Sequence, residues 1–147
     1  IMLYGFYPSD EVKKENIELK PAMTLKAKVS HIKIIPKGTG VSYGQIFIAD
    51  KETKIATLPI GYADGFSRLF NGKAEVFING KMAKVVGKIC MDQCMASLGI
   101  DGEGYVGDEV ELWGDRISLH DVSKRSERSM WDLLSNVTER VPRKYIK

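Results

Sequence analysis

A two-residue period, interrupted every few residues by glycine, constrains this chain more than any other feature. Leu25, Ala27 and Val29 alternate with Lys26, Lys28 and Ser30, the spacing of a strand with one face in a core and the other in water. The phase then changes at Ile32, Ile34 and Ile35, which predicts a bulge or bend near His31. Further strands are expected over 41–49, 55–58, 85–98 and 109–113, and 75–82 reads as a hairpin. At its centre stands Asn79-Gly80, a pair that tolerates the two positive φ angles of a type I′ turn. Glycines at 87, 99, 102, 104 and 114 punctuate the series. Short strands with frequent turns predict a mainly β fold, a Greek-key-like β barrel with one or two short helices. Met130, Leu133, Leu134 and Val137 recur at helical spacing, with Ser129 as N-cap, Asp132 three residues on, and Pro142 expected to stop the helix.

Composition enters as a set of exclusions. The 147 residues suit one domain and fall short of the ~250 that a (β/α)8 barrel takes. A net charge of +3, spread along the chain, gives no basic block for nucleic acid. No apolar run reaches the ~20 residues of a membrane span. Two cysteines and no signal peptide point to a reducing cytoplasm rather than a secreted disulfide scaffold. Ile1-Met2-Leu3-Tyr4-Gly5 reads as the apolar end of a strand with no turn before it, so a longer protein is expected upstream. Residues 1–8 are then the remnant of that strand and the start of a linker, and 9–147 the β domain.

Several constellations invite chemistry. Gly61 to Arg68 places two glycines, an aromatic, an acid and a base directly after an apolar strand; such loops carry sites, although Asp-Gly is also ordinary turn chemistry. In Gly38-Thr39-Gly40-Val41-Ser42-Tyr43-Gly44 the glycines leave room around a tyrosine, or mark a strand start. Cys90, Asp92 and Cys94 alternate and would share one face of a strand. Zinc would need more ligands than His31 and His120 add, and no Cys-x-x-Cys pair exists. A Ser42, His31, Asp64 hydrolase lacks the Gly-x-Ser-x-Gly elbow.

Taken in order, residues 38–44 (GTGVSYG), 59–65 (PIGYADG), 87–93 (GKICMDQ), Val106-Gly107-Asp108 and Arg140-Val141-Pro142-Arg143 closely resemble the C-terminal domain of alanine racemase, over essentially the whole chain. The resemblance implies a two-domain enzyme dependent on pyridoxal 5′-phosphate, whose (β/α)8 barrel is absent here. It implies interconversion of L- and D-alanine for cell-wall synthesis by a head-to-tail homodimer, in which this domain completes the partner's site. Racemisation needs an acid/base group on each side of the α-carbon. One would be a lysine of the barrel and the other Tyr43, whose phenol, with an ordinary pKa of ~10, needs neighbours from that barrel to work near neutrality. The resemblance further assigns Met91 a backbone N–H toward the substrate carboxylate, Tyr62 and Arg68 places along the substrate corridor, and Ile1 a backbone contact to the cofactor phosphate. Asp92 is expected to organise its loop. Isolated from the barrel, the chain is expected to be inactive.

Two departures stand out. Lys88 replaces the family's usual arginine, a point charge for a planar fork. Glu139 stands where some members carry a phosphate-contacting tyrosine. These departures leave a serine racemase of the same family as an alternative; separate ones are a related decarboxylase relying on a cysteine such as Cys90, and a non-catalytic dimerisation domain.

Overall fold

The computed structural model describes residues 2–8, 11–12 and 17–146. Among these residues nine strands and two α-helices follow in chain order: β1 (Leu25–Lys28), β2 (His31–Ile35), β3 (Gly40–Val41), β4 (Phe47–Ile48), β5 (Thr53–Leu58), β6 (Glu75–Ile78), β7 (Lys81–Val86), β8 (Cys94–Gly99), β9 (Glu109–Trp113), α1 (Leu119–Ser126) and α2 (Met130–Ser135). Seven strands form one antiparallel sheet in the order β1-β9-β6-β7-β8-β5-β2, and β3 pairs with β4 in a separate ribbon.

The two edge strands of that sheet, β1 and β2, are consecutive halves of one bent stretch. At the bend Val29 N–H donates to the Asp108 carbonyl while Ser30 N–H donates to the Thr57 carbonyl, so the same stretch grips the start of β9 and the end of β5. The sheet thereby curls into a barrel. Strands β6, β7 and β8 run consecutively with β9 returning beside β6, the Greek-key arrangement expected from the turn-rich pattern. The β6–β7 hairpin turns on Asn79 and Gly80 at φ 45° and 82°, as the type I′ reading requires.

Alternation explains the inner face. Val76 and Ile78 of β6, Ala83 and Val85 of β7, and Val110 and Leu112 of β9 point into one core with Leu58, Ile89, Trp113 and the stacked Phe66 and Phe70, whose ring centroids lie 4.7 Å apart. Helix α2 closes the core with Leu133 and Leu134. The sheet is also covered outside. Ile55, Val86 and Met95 on the outer face of β5, β7 and β8 pack with Ile35 and with Val41 and Ala49 of the β3–β4 segment. This double burial accounts for the phase change after His31: Ile35 belongs to the outer cluster and Leu25 and Val29 to the inner one.

Four expectations need correction. Residues 41–49 are two short strands rather than one, because Ser42, Gly44 and Gln45 all take positive φ and fold the chain between them into a 3-10 turn. Residues 85–98 are likewise split: Gly87, at φ 72°, turns the chain out of β7, so Cys90 and Asp92 lie on a loop and not on a strand face with Cys94. Met2–Tyr4 is a 3-10 turn rather than a strand end; among the described residues its one link onward is Ala22 N–H to the Tyr4 carbonyl, with no neighbouring strand to extend it. Helix α2 stops well before Pro142, where Asn136 donates through both its backbone and its side-chain nitrogen to the Asp132 carbonyl.

These packing differences set stabilities apart. Phe70→Ala should lower the unfolding free energy by ~3–5 kcal/mol in urea titration, since its ring is buried against Phe66. Breaking the exposed Lys26–Glu109 ion pair with Lys26→Met should change it by under ~1 kcal/mol, despite a 2.6 Å contact.

Candidate functional site

Three loops meet at one rim of the barrel, and glycines at the junctions permit their close approach. The first is the 3-10 turn Tyr43–Gln45, carried by the β3–β4 ribbon. Its neighbour Ser42 donates from Oγ to the Lys88 carbonyl at 2.7 Å and lies 3.7 Å from Cys90 Sγ. A Cβ on Gly87 would fall 2.7 Å from Ser42 Cβ, so glycine there is what lets the turn seat.

The second loop, 59–66, docks on the third, 87–93. Tyr62 and Ala63 N–H donate to the carbonyls of Cys90 and Met91, both at 3.0 Å. Gly61 lies so close that a Cβ would meet the Cys90 oxygen at 2.3 Å. The loop is closed internally by Asp64, whose carboxylate accepts from Gly61 N–H at 2.8 Å.

The segment after α2 clamps both. Arg140 donates to Asp92 Oδ1 at 2.5 Å and its Nε stands 3.5 Å from Asp64 Oδ1, so one guanidinium ties the second loop to the third. Hydrogen bonding to Asp92 is the main reason the Arg140 pKa lies above its ordinary value, with the charge of Asp64 adding to it. Thr138 reinforces the clamp through its N–H to the Asp64 carbonyl and its hydroxyl to the Ala63 carbonyl. Gly65 approaches Asn136 so closely that a Cβ would fall 2.2 Å from the Asn136 oxygen.

This framework presents its functional candidates outward. Tyr43 is 73% exposed, Met91 52% and Tyr62 42%, all large side chains held on tight turns rather than buried. Among the described residues, Met91 N–H has no hydrogen-bond acceptor, although the carbonyl of the same residue is engaged by Ala63. Lys88 is half-buried with Nζ 3.3 Å from where a Cβ on Gly44 would sit, which puts a positive charge beside the Tyr43 turn. The structure thus joins the loops of Tyr43, Tyr62 and Met91. Arg68 begins a separate 3-10 turn capped by Ser67, and among the described residues no hydrogen bond or ion pair links its guanidinium to the other three. Ile1 lies outside the described residues. Glu139 is exposed.

The remaining cysteine is inert by burial. Cys94, at the start of β8, is inaccessible, and desolvation pushes its thiol from 9.0 up to about 12. Cys90 is half-buried, its Sγ directed to the Lys88 carbonyl and Ser42 hydroxyl. Among the described residues no group of three or more His, Cys, Asp or Glu is placed to hold a metal. Ser42, His31 and Asp64 are not a triad, since Ser42 and Asp64 are each committed to backbone partners and His31 lies in β2 opposite Thr57. Among the described residues, no helix is long and apolar enough to cross a membrane.

Three residues of this framework were not singled out by the sequence: Ser42 as a tie, Asn71, whose Oδ1 accepts from Ile89 N–H, and Thr138. Only Ser42 had a signal, its place between two glycines beside an aromatic.

The fold and rim define a mainly β, Greek-key domain with an exposed phenol and, among the described residues, an amide N–H without an acceptor. Comparison with known proteins gives that class a family. Residues 22–145 match the family described as alanine racemase, C-terminal domain. The chain is 51% identical over 152 residues to an alanine racemase of Clostridium novyi, covering 100% of this chain and 39% of that protein. It overlays an alanine racemase of Clostridium difficile in complex with cycloserine with a TM-score of 0.90, at 44% identity over 96% of this chain and 38% of that one. A Bartonella henselae alanine racemase with covalently bound pyridoxal phosphate gives 0.91, at 32% identity over 99% and 40%. The chain belongs to the alanine racemase C-terminal domain family, and it spans about two fifths of the length of these relatives.

Two outcomes follow from the packing. Gly61→Ala should destabilise the chain by over ~1 kcal/mol in urea titration, since its Cβ would meet backbone on the third loop. For Cys94, the folded state keeps the proton up to about 12 while the unfolded chain releases it from 9.0, so unfolding frees a proton between those values. Stability should fall with rising pH across that window, by up to ~1.4 kcal/mol per pH unit. Cys94→Ala should remove that component of the slope.

Proposed function

We propose that this chain is the β domain of a pyridoxal-phosphate-dependent alanine racemase, and that Tyr43 is the acid/base group it lends to a site completed by other parts of the protein. The observation that carries the reading is the placement of an exposed phenol on a rigid turn, tied through Ser42 to the loop whose Met91 N–H has no acceptor. A phenol and a free amide on one rim suit a small amino acid: one group exchanges a proton, the other binds a carboxylate.

The donor set fits the substrate side of such a site. The described residues supply an acid/base hydroxyl, an anion-binding N–H and the nearby Lys88 cation, and they line a rim rather than enclose a cavity. When bound, pyridoxal phosphate supplies an electron sink for the charge left on the α-carbon as its proton departs. Tyr43 Oη would take or return that proton from one face, and a second group outside this chain would serve the other. Met91 N–H would donate to one oxygen of the substrate carboxylate and so orient the α-carbon. Tyr62, on the loop docked against Met91, and Arg68 further along would flank the approach. The cofactor phosphate contact proposed for Ile1 and the head-to-tail homodimer rest on the family resemblance, as does a cytoplasmic location serving cell-wall synthesis.

Identity to relatives named alanine racemase supports alanine over serine as substrate. The decarboxylase reading loses support because the Cys90 thiol faces Ser42 and the Lys88 carbonyl. The chain alone, holding one rim of the site, is expected to show no racemisation.

In the full-length enzyme, Tyr43→Phe should cut deuterium incorporation at the α-carbon from one face by ~10²–10⁴-fold, with exchange from the other face retained. Unchanged exchange from both faces in that variant would refute the role.

A further inference from the structure

Immediately before Tyr43, the Ser42 backbone stands at φ 65°, ψ −178°. That region of conformational space is open essentially to glycine, and a residue with a side chain persists there only when its surroundings over-determine it. The surroundings do so here. Ser42 Oγ donates to the Lys88 carbonyl at 2.7 Å and touches Cys90 Sγ at 3.7 Å. Gly87, itself at φ 72°, brings its backbone against Ser42 Cβ and the Val41 carbonyl, and Val41 is held in the outer apolar cluster. The strain therefore has a specific support on each side.

The tie runs between the two parts of the site. From the Lys88 carbonyl that receives the Ser42 hydroxyl, two residues lead to Cys90, whose own carbonyl accepts Tyr62 N–H, and the next residue is Met91. Ser42 thus fixes the turn bearing the phenol to the loop bearing the free amide. We infer that Ser42 is a positioning residue for the racemase reaction, holding a strained backbone so that the Tyr43 hydroxyl and the Met91 N–H keep one separation. The inference rests on the reading of Tyr43 as the acid/base group. Glycine at position 42 would enter this conformation without strain and leave it as easily, so the hydroxyl, rather than backbone freedom, keeps the turn in a single state.

The test uses the full-length holoenzyme with Ser42→Gly and Ser42→Ala, and Tyr43→Phe as reference. Melting temperature, kcat, KM and the rate of α-deuterium incorporation from each face are measured. Ser42→Gly should melt at or above the wild-type temperature, because strain is relieved, while kcat falls by roughly 10–100-fold, the scale of loss for a group displaced by ~1 Å. KM should change far less than kcat, and lost exchange should fall on the face that Tyr43→Phe affects. Ser42→Ala keeps the strain and loses its support, so both melting temperature and kcat should drop. Wild-type kcat and exchange in Ser42→Gly, a kcat loss that only follows a lowered melting temperature in that variant, or equal losses on both faces would overturn the inference. If Tyr43→Phe removes exchange from one face while Ser42→Gly matches wild type, the Ser42 inference alone fails. If Tyr43→Phe leaves exchange intact, the reading of Tyr43 fails and takes this one with it.

Discussion

The architecture depends on burying one part of the sheet on both faces. Strands β5, β7 and β8 place Ala56, Val85 and Ala96 in the barrel interior and Ile55, Val86 and Met95 under the β3–β4 segment. Removing apolar surface from water is the dominant favourable term in folding, and here it acts twice on the same strands. The inner burial closes the barrel. The outer burial fastens the ribbon that ends in the Tyr43 turn. Without the second, that turn would be held by its own short ladder and the Ser42 tie to the Lys88 carbonyl.

Around the rim the logic changes from apolar area to backbone proximity. Gly61, Gly65 and Gly87 let main chains approach to distances at which any Cβ would collide. Main-chain donors then meet main-chain acceptors directly, as Tyr62 and Ala63 meet Cys90 and Met91. Polar groups at such junctions must be satisfied or they penalise the fold. Asp64 satisfies Gly61 N–H, and Arg140 neutralises both Asp64 and Asp92 across the junction. The result is a set of loops braced against one another whose large side chains face out.

Much of this was legible in the residues. Alternation along 25–29 and the Asn79-Gly80 turn predicted the strands and hairpin because both depend on local periodicity and turn chemistry. Helix α2 was legible from Ser129, which caps it through Asp132 N–H, but its end was not, since the Asn136 cap is a local side-chain choice that Pro142 overshadowed. Helix α1 escaped notice because, of its three buried residues, Leu119, Val122 and Ser126, just two are apolar in an otherwise polar sequence. The strands over 41–49 and 85–98 looked continuous, as apolar residues run through them; what interrupts them is positive φ at Ser42 and Gly87, and a serine gives no warning of that. Tyr43, Tyr62 and Met91 could be nominated by motif, whereas the ties among their loops are long-range contacts with no periodic signature.

The double burial also divides the molecule into parts of unequal permanence. The interior cluster spans the whole barrel and both helices, whereas the outer one consists of a few side chains beneath a two-stranded ribbon. Segments that rest on little apolar area detach at a lower free energy than the body they rest on. The ribbon is therefore held by less apolar area than the barrel it rests on, and the Tyr43 turn keeps its place through the Ser42 tie to the Lys88 carbonyl as well as through that burial.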